Sequence, residues 1–515
     1  MNKSAKITFR YGMCRPSEYL RKSFATQVSV DVEFDNARPY SEIPGPTLFQ
    51  GLRAFLPGGK FHNKEPIDIN ALLNKEYGKI LRLPGSFGRK DVIITYDPKD
   101  FETVFRTEGL WPYRRPLLAV DYCRRKRPDA FKNNGGLIND QGEVWGRMRS
   151  AVNPAMLKPK TVKVYIPAVD EVAIDFVTKI KAIADDNHDM PSNFAVELEK
   201  WSLESIAVIA LEHRLGIITN ENDAESQKII KSVKDMFHLG FKAEVLPPIW
   251  IQTPMFKELL NSFNIVTDIL KKYVDSAIDR KHNAKDSEDG DERVLEKLLK
   301  INPDYVFALA MDMLIAGIDT TSAVVANLLY HLAKNPLKQE KLRDEVMKIL
   351  PNVDSKLSTT SLGSTPYMRA CIKETMRLTP PIPVNMRGTG RNLVLQGYQI
   401  PKDTDVAMFG GLVHLDENHF TRSAEFIPER WLSGTDVMEG CPNNGRSDNP
   451  FAFLPFGFGS RACIGKRFAE MEMTIVLLRI LREFQVEWHY GPLKYVQAFI
   501  VTPTNDLKFK MIPLK

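Results

Sequence analysis

Phe456-Gly457-Phe458-Gly459-Ser460-Arg461-Ala462-Cys463-Ile464-Gly465 places one cysteine in a glycine-flexed loop directly ahead of a long apolar segment that reads as a helix. Glycines permit a tight turn close to a flat ligand. The N–H groups of a helix's first turn stabilise negative charge on sulfur, and Arg461 is positioned to meet an acid. A lone thiolate in such a place is suited to hold a metal. The alternative for Cys463 is a small buried hydrophobe, the usual fate of a free cysteine.

The rest of the chain narrows that choice. Its 515 residues contain no stretch that looks like a flexible linker, so one large domain is expected. A hydrophobic content of 43% supports a deep core and excludes a disordered chain. Cys14, Cys123, Cys371, Cys441 and Cys463 are odd in number and form no C-x-x-C pair, which argues against a disulfide framework or a zinc site and for a reducing compartment. The net charge of +6 is localised: residues 1–27 hold Lys3, Lys6, Arg10, Arg15, Arg21 and Lys22 against Glu18, leaving +1 for all the rest. A nucleic-acid partner would require the excess on the folded domain itself. An acid-poor, hydroxyl-bearing basic leader is instead the character of a mitochondrial transit peptide, expected here over 1–27. No run of about 20 apolar residues lies near the N-terminus. The longest apolar window, Val306 to Ile318, is mid-chain and interrupted by Asp312, so no transmembrane helix is expected.

Ile43-Pro44-Gly45-Pro46 reads as a stiff hinge, with the catalytic domain expected over 44–515. Ile80 to Leu83 and Val92 to Tyr96 bracket a glycine-bearing turn and suit a hairpin. Residues 281–292 are mostly charged and polar and read as an exposed loop. Asp304 to Lys334, set between Asn302-Pro303 and Asn335-Pro336, reads as a helix of about 46 Å at 1.5 Å per residue. Another begins at Ser364-Thr365-Pro366 and ends before Pro380-Pro381. Strand-like pieces follow over Leu393 to Ile400 and Asp405 to Met408. The fold class is mainly α with a small β-rich part.

Within the long helix, Ala316-Gly317-Ile318-Asp319-Thr320-Thr321 gathers four poor helix formers at a buried centre. Thr320 is placed to return its hydroxyl to the carbonyl of Ala316, opening the ladder locally and pairing with Asp319 as a proton relay. A packed kink is the plainer alternative. Glu374-Thr375-Met376-Arg377 sets an acid and a base on one helical face, which alone is an ordinary surface pair. Its order carries the information: Phe426-Ile427-Pro428-Glu429-Arg430-Trp431 comes about fifty residues later, and then the cysteine loop. Trp145 and Arg149 lie one turn apart, and Arg387 sits in a strand-like segment from Pro383 to Gly388.

The spacing Phe-x-x-Gly-x-Arg-x-Cys-x-Gly, together with these motifs in this order, resembles the cytochromes P450 from about Pro44 to the C-terminus. The resemblance implies the P450 fold and haem b (iron protoporphyrin IX), with Cys463 as the iron ligand in a loop begun by Phe456. A thiolate ligand favours O–O cleavage. It further implies Trp145, Arg149, Arg387 and Arg461 as propionate partners and Asp319 and Thr320 as the proton relay. Glu374, Arg377 and Arg430 would form a buried structural triad. Leu137, Leu309, Met313, Val384 and Val501, with Trp111 to Leu117, would wall the substrate pocket. Within the family the chain is most similar to animal mitochondrial P450s, and in character to insect ones. Arg369 and Lys373 fall where those enzymes bind their [2Fe-2S] ferredoxin, and Lys466 and Arg467 add charge on the same side. The implied activity is hydroxylation of an apolar small molecule with O2 in xenobiotic metabolism, at the matrix side of the inner membrane. Steroid (ecdysteroid-like) hydroxylation, a non-oxygenating isomerase and a ligand-binding haem protein stand as alternatives. Phe241 to Trp250, apolar and proline-bearing, suits a peripheral membrane contact.

Overall fold

Asp304–Lys334 forms one unbroken helix with the bounds the sequence predicts. The Asn302 side chain accepts the N–H of Asp304 at 3.0 Å, and Asn335 ends the helix with its side-chain amide donating to the His331 carbonyl at 2.8 Å. Its apolar window is long enough to cross a membrane, yet 83% of that window is buried inside the protein, which marks a core helix. The computed structural model describes residues 32–514 apart from 86–87, 221–223, 246–250, 252, 284–292 and 433–441. The transit segment expected over 1–27 therefore lies outside the described residues.

Helices wrap the central one on several sides. Phe194–Ala210 runs against it, and the approach is close because position 317 is glycine: a Cβ there would stand 3.0 Å from Ile206. Ile166–Ile183 and Lys466–Glu483 pack together behind it, tied by the buried Asp170–Arg479 pair at 2.6 Å. The helix predicted after Thr365 spans Pro366–Leu378, with proline in its first turn.

The β part is built on one small sheet. Strands β1 (Ile80–Leu83) and β2 (Val92–Thr95) form the expected antiparallel hairpin. With β3 (Asn385–Gly388) and β6 (Asp405–Met408) the sheet order is β1-β2-β6-β3, with β2 and β6 parallel and β6 and β3 antiparallel. Between them, Leu393 to Ile400 is not one strand piece but a hairpin of β4 (Leu393–Leu395) and β5 (Tyr398–Ile400). Gln396 and Gly397 take φ of 48° and 76°, the left-handed pair that a two-residue hairpin turn demands.

The chain packs onto this hairpin before the expected hinge. The Arg38 guanidinium stacks 3.8 Å from the Tyr398 ring and donates to the Gln396 carbonyl. The hinge itself then lies along β1, where Arg82 donates to the Pro44 carbonyl at 2.8 Å and a side chain on Gly45 would collide with the Arg82 carbonyl. Two further expectations shift. Residues 281–283 are the end of the helix Pro254–Asn283, with 284–292 outside the described residues. Phe241 to Val245 close the helix Ala224–Val245, and the remainder of the proposed membrane loop, 246–250, is also outside them.

Candidate active site

The cysteine loop is folded back on itself. The Cys463 N–H donates to the Phe456 carbonyl at 2.8 Å, while Gly457 and Gly459 take φ of 71° and 74°. A side chain at Gly459 would also collide with Glu108, so this turn needs glycine for shape and for space. Helix Lys466–Glu483 begins three residues after the cysteine. Burial pushes the Cys463 thiol up, against which the N–H groups of Gly465 and Lys466 and the Arg149 guanidinium stabilise the thiolate. Although deeply enclosed, the Cys463 side chain is uncovered on one side. On the central helix, Ala316 is likewise exposed amid buried neighbours.

Thr320 donates its hydroxyl to the Ala316 carbonyl at 2.6 Å, as the sequence predicts, and the helix stays continuous through this point. The Ser202 hydroxyl donates to the Gly317 carbonyl at 3.1 Å. Asp319 is buried, and burial together with the Glu199 charge raises its carboxyl to about 7, with Lys234 opposing. It forms part of the lining of a cavity of about 290 Å³, together with Glu199, Lys234, His238 and the apolar Leu198 and Ile500. Glu199 and Lys234 pair at 2.7 Å, although one Glu199 oxygen lacks a well-directed hydrogen bond.

Beside the loop lies a concentration of buried positive charge. Trp145 and Arg149, on the helix Gly142–Leu157, are both buried, and Arg149 donates to the Ala462 carbonyl at 2.8 Å. The Arg461 guanidinium stacks 3.8 Å from the Trp145 ring. The acid that Arg461 was expected to meet is replaced by oxygens of Pro112, Leu137, Asp140 and Gln141. Arg387 binds Glu108 at 2.6 Å and the Phe458 carbonyl at 3.3 Å. Arg114, which the sequence reading placed only within a pocket wall, joins them by donating to the Leu137 and Ile138 carbonyls. Burial and then mutual repulsion push Arg461 down to about 9 and Arg114 to about 10. Glu108 is the one carboxylate in direct contact with any of the four arginines among the described residues. Among the described residues, Trp145 Nε1 and Arg149 Nε find no hydrogen-bond acceptor. Buried donors and cations without partners are costly. A bound group with two carboxylates would offset both, and the propionates of haem fit that requirement.

Glu374 is fully buried and saturated. Its two oxygens accept from Arg377 (2.8 and 3.0 Å), Arg430 (3.0 Å), the Ile427 N–H (2.9 Å) and the Trp431 indole (2.8 Å). The arginines spend their remaining donors on carbonyls of His414, Ser423 and Gly445. On the same helix Arg369 and Lys373 are exposed, as are Lys466 and Arg467 on the next. The structure brings the four together: Glu470, which burial raises, is held down by all of them.

The expected pocket residues are more scattered. The Leu137 N–H donates to Asp312, while Leu309 and Met313 lie one turn apart and buried on the central helix. Val384 packs in a separate apolar cluster with Phe409 and Leu412, and Val501 donates its N–H to the Pro381 carbonyl. None of the five is among the residues lining the cavity at Asp319.

Fold and site together set a cluster of buried arginines with unpaired donors beside a cysteine loop. A cytochrome P450 family profile matches residues 46–511. The chain is 40% identical over 494 residues to probable cytochrome P450 12b2, mitochondrial, of Drosophila melanogaster, covering 94% of this chain and 91% of that one. It is 41% identical to cytochrome P450 12b1, mitochondrial, of Drosophila acanthoptera, covering 96% and 93%. Among solved structures, the haem domain of cytochrome P450DA superposes with a TM-score of 0.71 over 88% of this chain and 95% of that one, at 21% identity. The chain belongs to the cytochrome P450 family and is a haem monooxygenase similar to the insect mitochondrial P450s.

Proposed function

We propose that residues 44–515 form the catalytic domain of a ferredoxin-driven P450 that hydroxylates an apolar xenobiotic, with 1–27 as its transit peptide. Residues 32–43 are the lead-in packed on the hairpin of β4 and β5. The observation that carries the reading is the arginine cluster with its unpaired donors next to Cys463. In this reading the cysteine loop and the Ala316–Thr320 turn would hold haem b, which would supply reductive activation of O2 and oxygen transfer to substrate. Cys463 would hold the iron, with Phe456 closing the loop through its carbonyl. Trp145, Arg149, Arg387 and Arg461, joined by Arg114, would hold the propionates through guanidinium and indole donors. Leu137, Leu309, Met313, Val384 and Val501 remain the proposed substrate contacts.

Asp319 moves protons. With its carboxyl at about 7 it is divided between acid and carboxylate at neutral pH, which suits a group that both takes and gives a proton. The cavity opens beside it, and Thr320 presents a hydroxyl on the neighbouring face. Thr320→Ala is expected to leave the reduced CO spectrum intact while product per NADPH consumed falls and peroxide rises, with product formation slowed on the order of 10²-fold. An unchanged product-to-NADPH ratio would show that another group delivers the proton.

Electrons are proposed to come from an acidic [2Fe-2S] ferredoxin docking on Arg369, Lys373, Lys466 and Arg467, at the matrix side of the inner membrane. Such encounters are small, steered by charge and sensitive to salt. Reversing Lys373 to Glu should raise the ferredoxin concentration for half-maximal turnover about tenfold at low salt and flatten its salt dependence. Full turnover with a membrane flavoprotein reductase alone would remove this partner. Leu48, Phe49, Leu52, Phe55 and Leu56, all exposed around the first long-chain helix, offer an apolar surface for peripheral membrane contact.

A further inference from the structure

Asp312 is a charged residue in the most apolar part of the central helix, and it is buried. One of its oxygens pairs with Arg124, itself 2% exposed, on the helix Leu118–Arg125; the other accepts the Leu137 N–H at 2.7 Å. Arg124 also donates to the Gly135 carbonyl. The segment so gripped can only be built with glycine: Gly136 has φ of 70°, and a Cβ on it would collide with Arg124 and lie 2.5 Å from an Asp312 oxygen. The carbonyls that follow, of Leu137, Ile138 and Asp140, are the acceptors that orient Arg114 and Arg461. On the helix, Asp312, Ala316 and Thr320 form one i, i+4, i+8 row, with about 12 Å between its ends.

We infer that Asp312 and Arg124 are positioning residues: they clamp the 135–141 segment to the central helix, and through its carbonyls they fix the direction in which Arg114 and Arg461 present their guanidinium groups to the haem propionates. This rests on the reading of the arginine cluster as the propionate site. The carbonyl acceptors do for these arginines what the outer partners of metal ligands do, and loss of such partners typically weakens binding 10–100-fold. A clamp of this kind also makes the propionate side of the site follow the helix that carries Thr320.

The test uses the purified holoprotein and Asp312→Asn, which keeps shape and removes the charge. Ferric haem transfer to excess apomyoglobin should accelerate about tenfold or more. Amide hydrogen exchange over 135–141 should quicken, and the reduced CO spectrum should keep its thiolate signature. Arg124→Lys, which retains the charge but not both donors, should lie between wild type and D312N. Wild-type haem release and exchange in a folded D312N overturns the inference. If D312N does not fold, Gly136→Ala is measured in the same way: faster release supports the clamp, and unchanged release overturns it. Failure of the propionate reading itself would look different, because Arg114→Ala and Arg461→Ala would then release haem at the wild-type rate.

Discussion

Cys463→His is expected to abolish the strongly red-shifted Soret band of the reduced CO complex and to reduce oxygenase turnover to background. Two features of the site make this the most sensitive position. The Cys463 N–H is bonded to the Phe456 carbonyl, so the backbone at 463 is fixed by a contact that does not depend on the side chain. The N–H groups of Gly465 and Lys466 and the Arg149 guanidinium are arranged to stabilise negative charge on sulfur. A neutral imidazole gains nothing from them and does not donate electron density as a thiolate does. The measurement is the reduced CO difference spectrum, together with product formed in the presence of the redox partners. A variant that kept both the thiolate-type band and turnover would show that Cys463 is not the ligand. The other described cysteines, Cys123 and Cys371, are buried in the apolar core, where burial pushes both thiols far up, so neither is a substitute ligand.

Much of this arrangement is legible in the sequence because local chemistry agrees with the fold. The limits of Asp304–Lys334 are written in Asn302-Pro303 and Asn335-Pro336, and the structure uses both asparagine side chains at those ends. The back-bond of Thr320 is local, four residues long, and so predictable from spacing. Gly317 shows the limit of such reasoning. Its helix-breaking character is visible, but its reason is the approach of Ile206 from more than a hundred residues away. Arg114 was missed on the same ground, since nothing around Trp111-Pro112-Tyr113-Arg114 distinguishes a buried cation from a loop residue until Leu137 and Ile138 are folded against it. The Gln396-Gly397 turn shows a different limit: a polar residue before glycine is a hairpin signal, and the strand formers around it mask that signal.

Glu374→Ala is expected to cost about 3–5 kcal/mol, the usual effect of breaking a buried ion pair from one side. Here the loss is compounded, because the one carboxylate serves two fully buried guanidinium groups, a buried backbone N–H and a partly buried indole. The arginines would retain their carbonyl acceptors but lose the one carboxylate paired with them among the described residues. Against a total stability of about 5–15 kcal/mol this is a large fraction, so the variant should accumulate little holoprotein and unfold at much lower urea. The exposed Glu102–Arg106 pair provides the comparison: its 2.7 Å separation matches that of the buried contacts. Arg106→Ala should nevertheless change stability by less than about 1 kcal/mol, because solvent screens both charges and holding the side chains in place costs entropy. Urea unfolding followed by haem absorbance and by tryptophan fluorescence distinguishes the two sites. Equal small effects of E374A and R106A would mean that the buried cluster relaxes or admits water, and that the segment joining Glu374 to Arg430 is held by its apolar contacts alone.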